Sequence, residues 1–160
     1  MSHAACRFCK APLTEMFVDL GMSPLCESFV PAEKENHMEP FFPLRVYTCG
    51  KCLLVQLEEY VAPDEIFSHY AYFSSYSDSW VAHAKRYAEK MMAEQGIGAQ
   101  SHVVEIASND GYLLQWFVKA GVPVTGVEPA ANVAEVALKE RNVPSVVKFF
   151  GVQTATELAA

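Results

Sequence analysis

Basic residues are scarce in this chain: 12 lysines and arginines stand against 19 aspartates and glutamates, a formal net charge of −7. A protein held to nucleic acid by phosphate contacts needs a basic stripe. None is present, so no nucleic-acid partner is expected. Long apolar runs are missing as well. No stretch approaches the roughly 18 residues that cross a bilayer, and no membrane association is expected. The opening MSHAACRFCK has no apolar leader segment, which predicts a cytoplasmic protein with reduced cysteines. Internal repeats and low-complexity tracts are absent. Glycine is thin where a nucleotide-binding loop would concentrate it: VVEIASNDGYLL, residues 103–114, contains only Gly111. Against these absences, hydrophobic residues make up 51% of the 160 positions, enough for a packed core in one domain or two small ones.

Three regions differ in texture. Residues 1–60 are rich in Cys, Pro and Phe, with short β-like runs in RVYTC and LLVQLEEY. Pro24, Pro31, Pro40 and Pro43 exclude long helices there. Residues 61–96 hold a tyrosine-rich patch, HYAYFSSYSDSW, followed by a helix. In that helix Trp80, Ala84, Tyr87, Ala88 and Met91 recur at helical spacing, and Gly96 ends it. Residues 97–160 alternate strand and helix: strand 102–107, helix 111–120, strand 123–127, helix 131–141, strand 145–149 and a further helix near Thr154. The β-α-β-α-β order predicts an α/β fold with a parallel sheet and right-handed crossovers. It makes half of a doubly wound sheet, so the chain is expected to be the N-terminal part of a longer protein or a truncated relative of one. The alternative is a small core closed by three strands and the N-terminal region.

Cys6-Arg-Phe-Cys9 and Cys49-Gly-Lys-Cys52 form two C-x-x-C pairs with 39 residues between them. Each turn aims two thiolates at one point, and two such turns complete a tetrahedral four-cysteine site. Buried cysteines or a disulfide are the alternatives. Four thiolates leave no open coordination position, so the expected Zn2+ is structural. Lys10 and Lys51 would partly offset its charge. Cys26 has no partner and reads as a small core residue.

The 103–114 stretch reads as strand, turn and helix, an arrangement that places backbone N–H groups at a strand's carboxyl end. Ala107 and Asn109 replace two of the three glycines of a dinucleotide loop. Asn109 tolerates left-handed angles, whereas Ala107 hinders the close approach of a pyrophosphate. Glu128 lies 18 residues after Asp110, where an acidic side chain can accept ribose hydroxyls. Glu105 is an acid in a buried strand and needs a partner. An acidic loop with no basic residue near it fits a cationic adenosine ligand, S-adenosylmethionine. NAD is the competitor.

Taken together, CRFCK, LGMSPLCESF, FFPLRVYTCGKCLLVQL, YAYFSSYSDSWVAHAKRYAE and VVEIASNDGYLL resemble the zinc-containing sugar C-methyltransferases of deoxysugar biosynthesis. The resemblance implies an N-terminal zinc-binding domain built on four cysteines (1–60), a connecting segment and helix (61–96) and the first half of a Rossmann-like methyltransferase sheet (97–160). It implies Zn2+ on Cys6, Cys9, Cys49 and Cys52. It implies S-adenosylmethionine lined by Glu105, Ala107, Asn109, Asp110, Gly111, Tyr112 and Leu113, with Glu128 and Pro129 on the ribose and adenine side. Tyr72, Ser77 and Tyr76 would cover the donor and face a nucleotide-linked keto-deoxysugar, with Tyr76 the candidate catalytic residue.

Such enzymes form an enolate next to a ketone, which requires a general base. The family's Glu-His pair for that step has no counterpart here; only Tyr76, His69 and His83 are plausible helpers, and His83 reads first as a helix residue beside Trp80. Two function classes therefore remain. One is the donor-binding part of a C-methyltransferase. The other is a non-catalytic, zinc-stabilised interaction module whose half-sheet pairs with a second chain.

Overall fold

The computed structural model describes residues 4–160. The chain forms two compact units, one ending at Ile66 and one spanning Phe67–Ala160.

The first unit is an antiparallel sheet in the order β1-β2-β3, from Glu15–Ser23, Phe42–Thr48 and Val55–Leu57. Both C-x-x-C turns lie at one end of this meander, where Glu15 pairs with Thr48 and Thr48 with Val55. The second turn is the connection between β2 and β3, directly beyond the Thr48–Val55 pair. The first sits ahead of β1, inside a small hairpin closed by the Ala5–Pro12 bridge. Pro43 lies inside the central strand, where proline removes a ladder bond. It is accommodated opposite Met22 beside a register shift between Asp19 and Met22. There Gly21 turns with φ 82, its N–H donating to Asp19 Oδ1 at 2.8 Å. Arg45 closes the same corner on Asp19 at 3.0 Å, an exposed cross-strand pair. Most of β1 is exposed, so no alternation of buried and exposed positions announces it. Its existence was not expected from the sequence, unlike β2 and β3. A short helix, α1 (Pro63–Phe67), follows in the chain.

In the second unit a short 3-10 helix, Ser74–Tyr76, precedes α2 (Asp78–Gln95). Ser77 caps it, accepting the Trp80 N–H at 3.3 Å, and Gly96 ends it in the left-handed region. Its buried stripe is Ala84 and Ala88, with Met92 packed against the core. Trp80 and Tyr87, expected on that stripe, stay half-exposed. The alanines at i and i+4 bring the helix close to its neighbours, and Tyr87 is rotated about 100° from Ala88.

Then come β4 (Val103–Ile106), α3 (Leu114–Lys119), β5 (Val124–Val127), α4 (Ala131–Arg141), β6 (Ser145–Val146) and α5 (Val152–Ala159). The three strands form a parallel sheet in the order β4-β5-β6. The α/β reading and the half-doubly-wound sheet are both present. α3 is shorter than the expected 111–120, because residues 107–113 are taken up by a tight loop. β6 pairs only Ser145 and Val146 rather than 145–149. The core gathers Ala88 from α2, Leu114 and Phe117 from α3, Val124 from β5 and Ala137 from α4. Gly126 is sterically required. A Cβ there would lie 2.3 Å from Ser108 Oγ and 2.6 Å from Ser145 Oγ.

Candidate zinc centre and acidic loop

The two C-x-x-C turns have the same backbone. In the first, the Lys10 N–H donates to the Cys6 carbonyl at 3.0 Å and the Cys6 N–H to the Ala11 carbonyl at 2.8 Å. In the second, Leu53 donates to Cys49 at 2.9 Å and Cys49 to Leu54 at 3.0 Å. Lys10 and Leu53 occupy equivalent left-handed positions, φ 61 and 63. This shared turn brings all four Sγ atoms within 4.8 Å of one another. Cys6 Sγ lies 3.6 Å from Cys52 Sγ, and Cys9 Sγ 3.5 Å from Cys49 Sγ. A tetrahedron with Zn–S bonds of about 2.3 Å has edges of about 3.8 Å, so the thiols fit zinc closely.

The first cysteine of each pair is prepared for metal. The backbone N–H of Cys9, the Gln56 amide and the N–H of Phe8 pull the Cys6 thiol down to about 6. The N–H groups of Cys52 and Lys51 lower Cys49 in the same way. Cys52 moves the other way, to about 12, because burial and the neighbouring sulfurs outweigh the Leu54 N–H. Gln56 was not singled out in the sequence. It is buried in β3, donates to Cys6 Sγ at 3.2 Å, and accepts the Arg7 N–H at 2.9 Å. A lone amide in the apolar run LLVQL was the available signal. Lys10 reaches the Arg7 carbonyl at 3.1 Å, on the rim of the first turn. Cys26 is exposed rather than a core residue.

The loop after β4 answers why VVEIASNDGYLL is poor in glycine. Ala107, Asn109 and Gly111 all have left-handed backbone, φ 58, 48 and 76. Only Gly111 meets a second constraint, since a Cβ there would press on Val143 at 3.0 Å. Asn109 is locked by use of its side chain. Its Oδ1 accepts the Ser74 N–H at 2.8 Å and its Nδ2 donates to the Tyr72 carbonyl at 3.1 Å. Asp110 is fully buried; its Oδ2 accepts the Ser75 N–H at 3.3 Å. Asparagine and aspartate thus tie down residues 72–75, a task that glycines could not perform.

Glu128 is buried at the end of β5. Its Oε2 accepts the Asn109 N–H and its Oε1 the Ala130 N–H, both at 2.9 Å. Each oxygen keeps a further lone pair for a ligand. Glu105 is largely buried, and Oε2 has no partner. Burial first, then the charges of Asp110 and Glu128, raise its pKa to about 8. Asp110 Oδ1 is likewise buried without a partner. The expectation that no basic residue stands near this loop is corrected by Arg141. It arrives from the last turn of α4, 31 residues further along the chain, and places Nη2 3.7 Å from Asp110 Oδ2. Three carboxyl groups, Glu105, Asp110 and Glu128, still stand at these strand ends against this one guanidinium.

Tyr112 stacks on Trp80, which stacks in turn on His83. With Ala84, Tyr87 and Leu113 they line a cleft of about 200 Å³. Leu113 and Pro129 are partly buried beside the loop. Ser77 serves as the cap of α2, and Tyr76 is 77% exposed with its ring against Phe73. His69 is exposed. α3 begins at Leu114, after the loop, so the polar groups here come from residues 105–112 and 128 rather than from the first turn of a helix.

Residues 6–67 match a family model described as a zinc binding domain, Methyltransf_13. The chain is also 33% identical over 154 residues to the C-methyltransferase NovU of Streptomyces niveus, a match taking in 96% of this chain and 36% of that protein. The chain therefore spans about a third of the length of the curated relative it matches.

Proposed function

We propose that this chain, which is similar to a zinc binding domain over residues 6–67 and to a C-methyltransferase over most of its length, is the donor-binding part of an S-adenosylmethionine-dependent enzyme. Its acceptor is a nucleotide-linked keto-deoxysugar. The observation carrying the donor reading is the pair of buried, partnerless carboxylate oxygens, Glu105 Oε2 in β4 and Asp110 Oδ1 in the loop that follows it. Buried carboxylates without partners are costly, and a cationic ligand offsets that cost. S-adenosylmethionine supplies an electrophilic methyl group. Glu105 and Asp110 would face its cationic methionine end. Glu128, through its remaining lone pairs, would accept the ribose hydroxyls beside Pro129. Ala107 and Gly111 shape the backbone of the loop, while Tyr112 and Leu113 close its apolar side.

Methylation of carbon next to a ketone needs a base and a donor for the enolate oxygen. Tyr76 is the residue of this chain proposed for that side of the reaction, as its exposed ring leaves the hydroxyl accessible to a sugar. The four-cysteine centre takes Zn2+ in a structural role.

Calorimetric titration of the zinc-loaded chain with S-adenosylhomocysteine tests the reading. Micromolar binding that weakens in Glu105→Gln and Asp110→Asn is the expected result. Absence of heat from a folded, zinc-loaded chain would remove the donor site from it and leave a zinc-stabilised interaction module.

A further inference from the structure

Residues 70–75 are held by a repeated device. Asn132, at the start of α4, accepts the Tyr70 N–H at 3.2 Å and donates to the Tyr70 carbonyl at 2.8 Å. Asn109 does the same across Ser74 and Tyr72. A carboxamide offers one donor and one acceptor side by side, as a peptide does, so each asparagine stands in for a neighbouring strand. The far end is closed by Arg141, whose Nη2 donates to Ser75 Oγ at 2.7 Å and also lies 3.7 Å from Asp110 Oδ2.

Both outer fasteners come from one helix. Asn132 and Arg141 are nine residues apart on α4, about 13.5 Å along its axis. Residues 70–73 are extended and Ser74–Tyr76 form a 3-10 turn, so residues 70–75 reach about 14 Å, matching the stretch of helix between the two fasteners. No residue from Phe67 to His83 is buried. The segment is therefore held by polar bonds to α4 and to the β4–α3 loop more than by hydrophobic burial. It also carries Tyr72 and leads into Tyr76.

We propose that Asn132 and Arg141 are positioning residues of the donor site: they hold residues 70–75 as a strap across the β4–α3 loop, and the strap completes the pocket by fixing Tyr72 and Tyr76. This rests on the donor reading above. Neither residue is expected to touch the donor. Their effect passes through the strap and through Asp110, which Arg141 and the Ser75 N–H hold from one side.

The test joins hydrogen exchange to ligand binding in the zinc-loaded chain, with S-adenosylhomocysteine as the probe. In Asn132→Ala, exchange at the amides of residues 70–76 is expected to rise about tenfold, the scale of one or two net hydrogen bonds, while β5 amides keep their protection. The dissociation constant should rise by a similar factor. Asn132→Asp, which keeps the acceptor for the Tyr70 N–H, should recover part of both effects. Arg141→Lys keeps a charge near Asp110 but lacks the fork that also reaches Ser75, and should loosen residues 74–76 alone. Looser exchange at unchanged affinity would overturn the proposal, because the strap would then lie outside the site. Unchanged exchange in Asn132→Ala would overturn it too. So would a uniform rise that includes β5, which marks a general loss of stability. Failure of the wild-type chain to bind is a different result: it removes the donor reading itself, and the strap's role with it.

Discussion

Glu128 and Asn109, 19 residues apart in the chain, are joined by a buried hydrogen bond of 2.9 Å from the Asn109 N–H to Glu128 Oε2. The same carboxylate accepts the Ala130 N–H that leads into α4. One side chain thus ties the loop after β4 to the turn after β5. These are the two places where a parallel sheet presents its carboxyl ends to a ligand.

Glu128→Gln tests that tie. A carboxamide can accept only through one of its two positions, and its NH2 then opposes a backbone N–H. Left unpaired in the interior, that N–H costs about 1–3 kcal/mol. The denaturation midpoint should fall accordingly, with faster exchange at Asn109 or Ala130. An unchanged midpoint would mean that the tie contributes nothing to stability.

Ala107 holds a left-handed backbone at φ 58, a conformation that costs an L-residue about 1–2 kcal/mol. Ala107→Gly removes that strain but adds about 0.5–1 kcal/mol of chain entropy. The variant should be neutral or more stable by up to about 1.5 kcal/mol, whereas Ala107→Val should be clearly less stable. Denaturation curves showing glycine the worse of the two would contradict the strained backbone.

Glu105 makes stability depend on pH in an unusual direction. Its pKa is about 8 in the folded chain against an ordinary 4.5. Between those values the folded state holds a proton that the unfolded chain has lost, so stability falls as pH rises from about 5 to about 8. Glu105→Gln abolishes this dependence. Relative to wild type, the variant should gain melting temperature steadily over that range. Parallel curves for the two proteins would show that Glu105 titrates normally.

Cys49→Ser removes one of four thiolates whose Sγ atoms lie within 4.8 Å of one another. Metal affinity is expected to collapse, because binding energy and folding energy are coupled in such sites. The purified variant should contain far less than one zinc per chain, and residues 4–60 should become sensitive to protease. Protease sensitivity should stay low in α2 to α4, which do not depend on the cysteines. Full zinc occupancy in the variant would show that Cys49 is not a ligand.

Several of these features were legible along the chain. The C-x-x-C pairs are local turns, and each turn's geometry follows from four or five residues, so their spacing alone pointed to a shared metal. The β-α-β-α-β pattern is local too, and the parallel sheet followed from it. Asn109, Asp110, Gly111 and Glu128 were legible as a loop and a strand end. What their side chains bind was not. In the sequence Asn109 and Asp110 present themselves as ligand groups; in the fold they also fasten residues 72–75.

Taken alone, the sequence determined a zinc-type cysteine set, a half-sheet with an acidic loop and a net negative charge, because each depends on residue types and their short separations. Only the tertiary structure decided the rest. It placed Gln56 on Cys6, Arg141 beside Asp110 and Asn132 on Tyr70, pairs separated by 50, 31 and 62 residues. Hydrogen bonds at such distances follow from how strands and helices pack together, and no local periodicity or spacing encodes them.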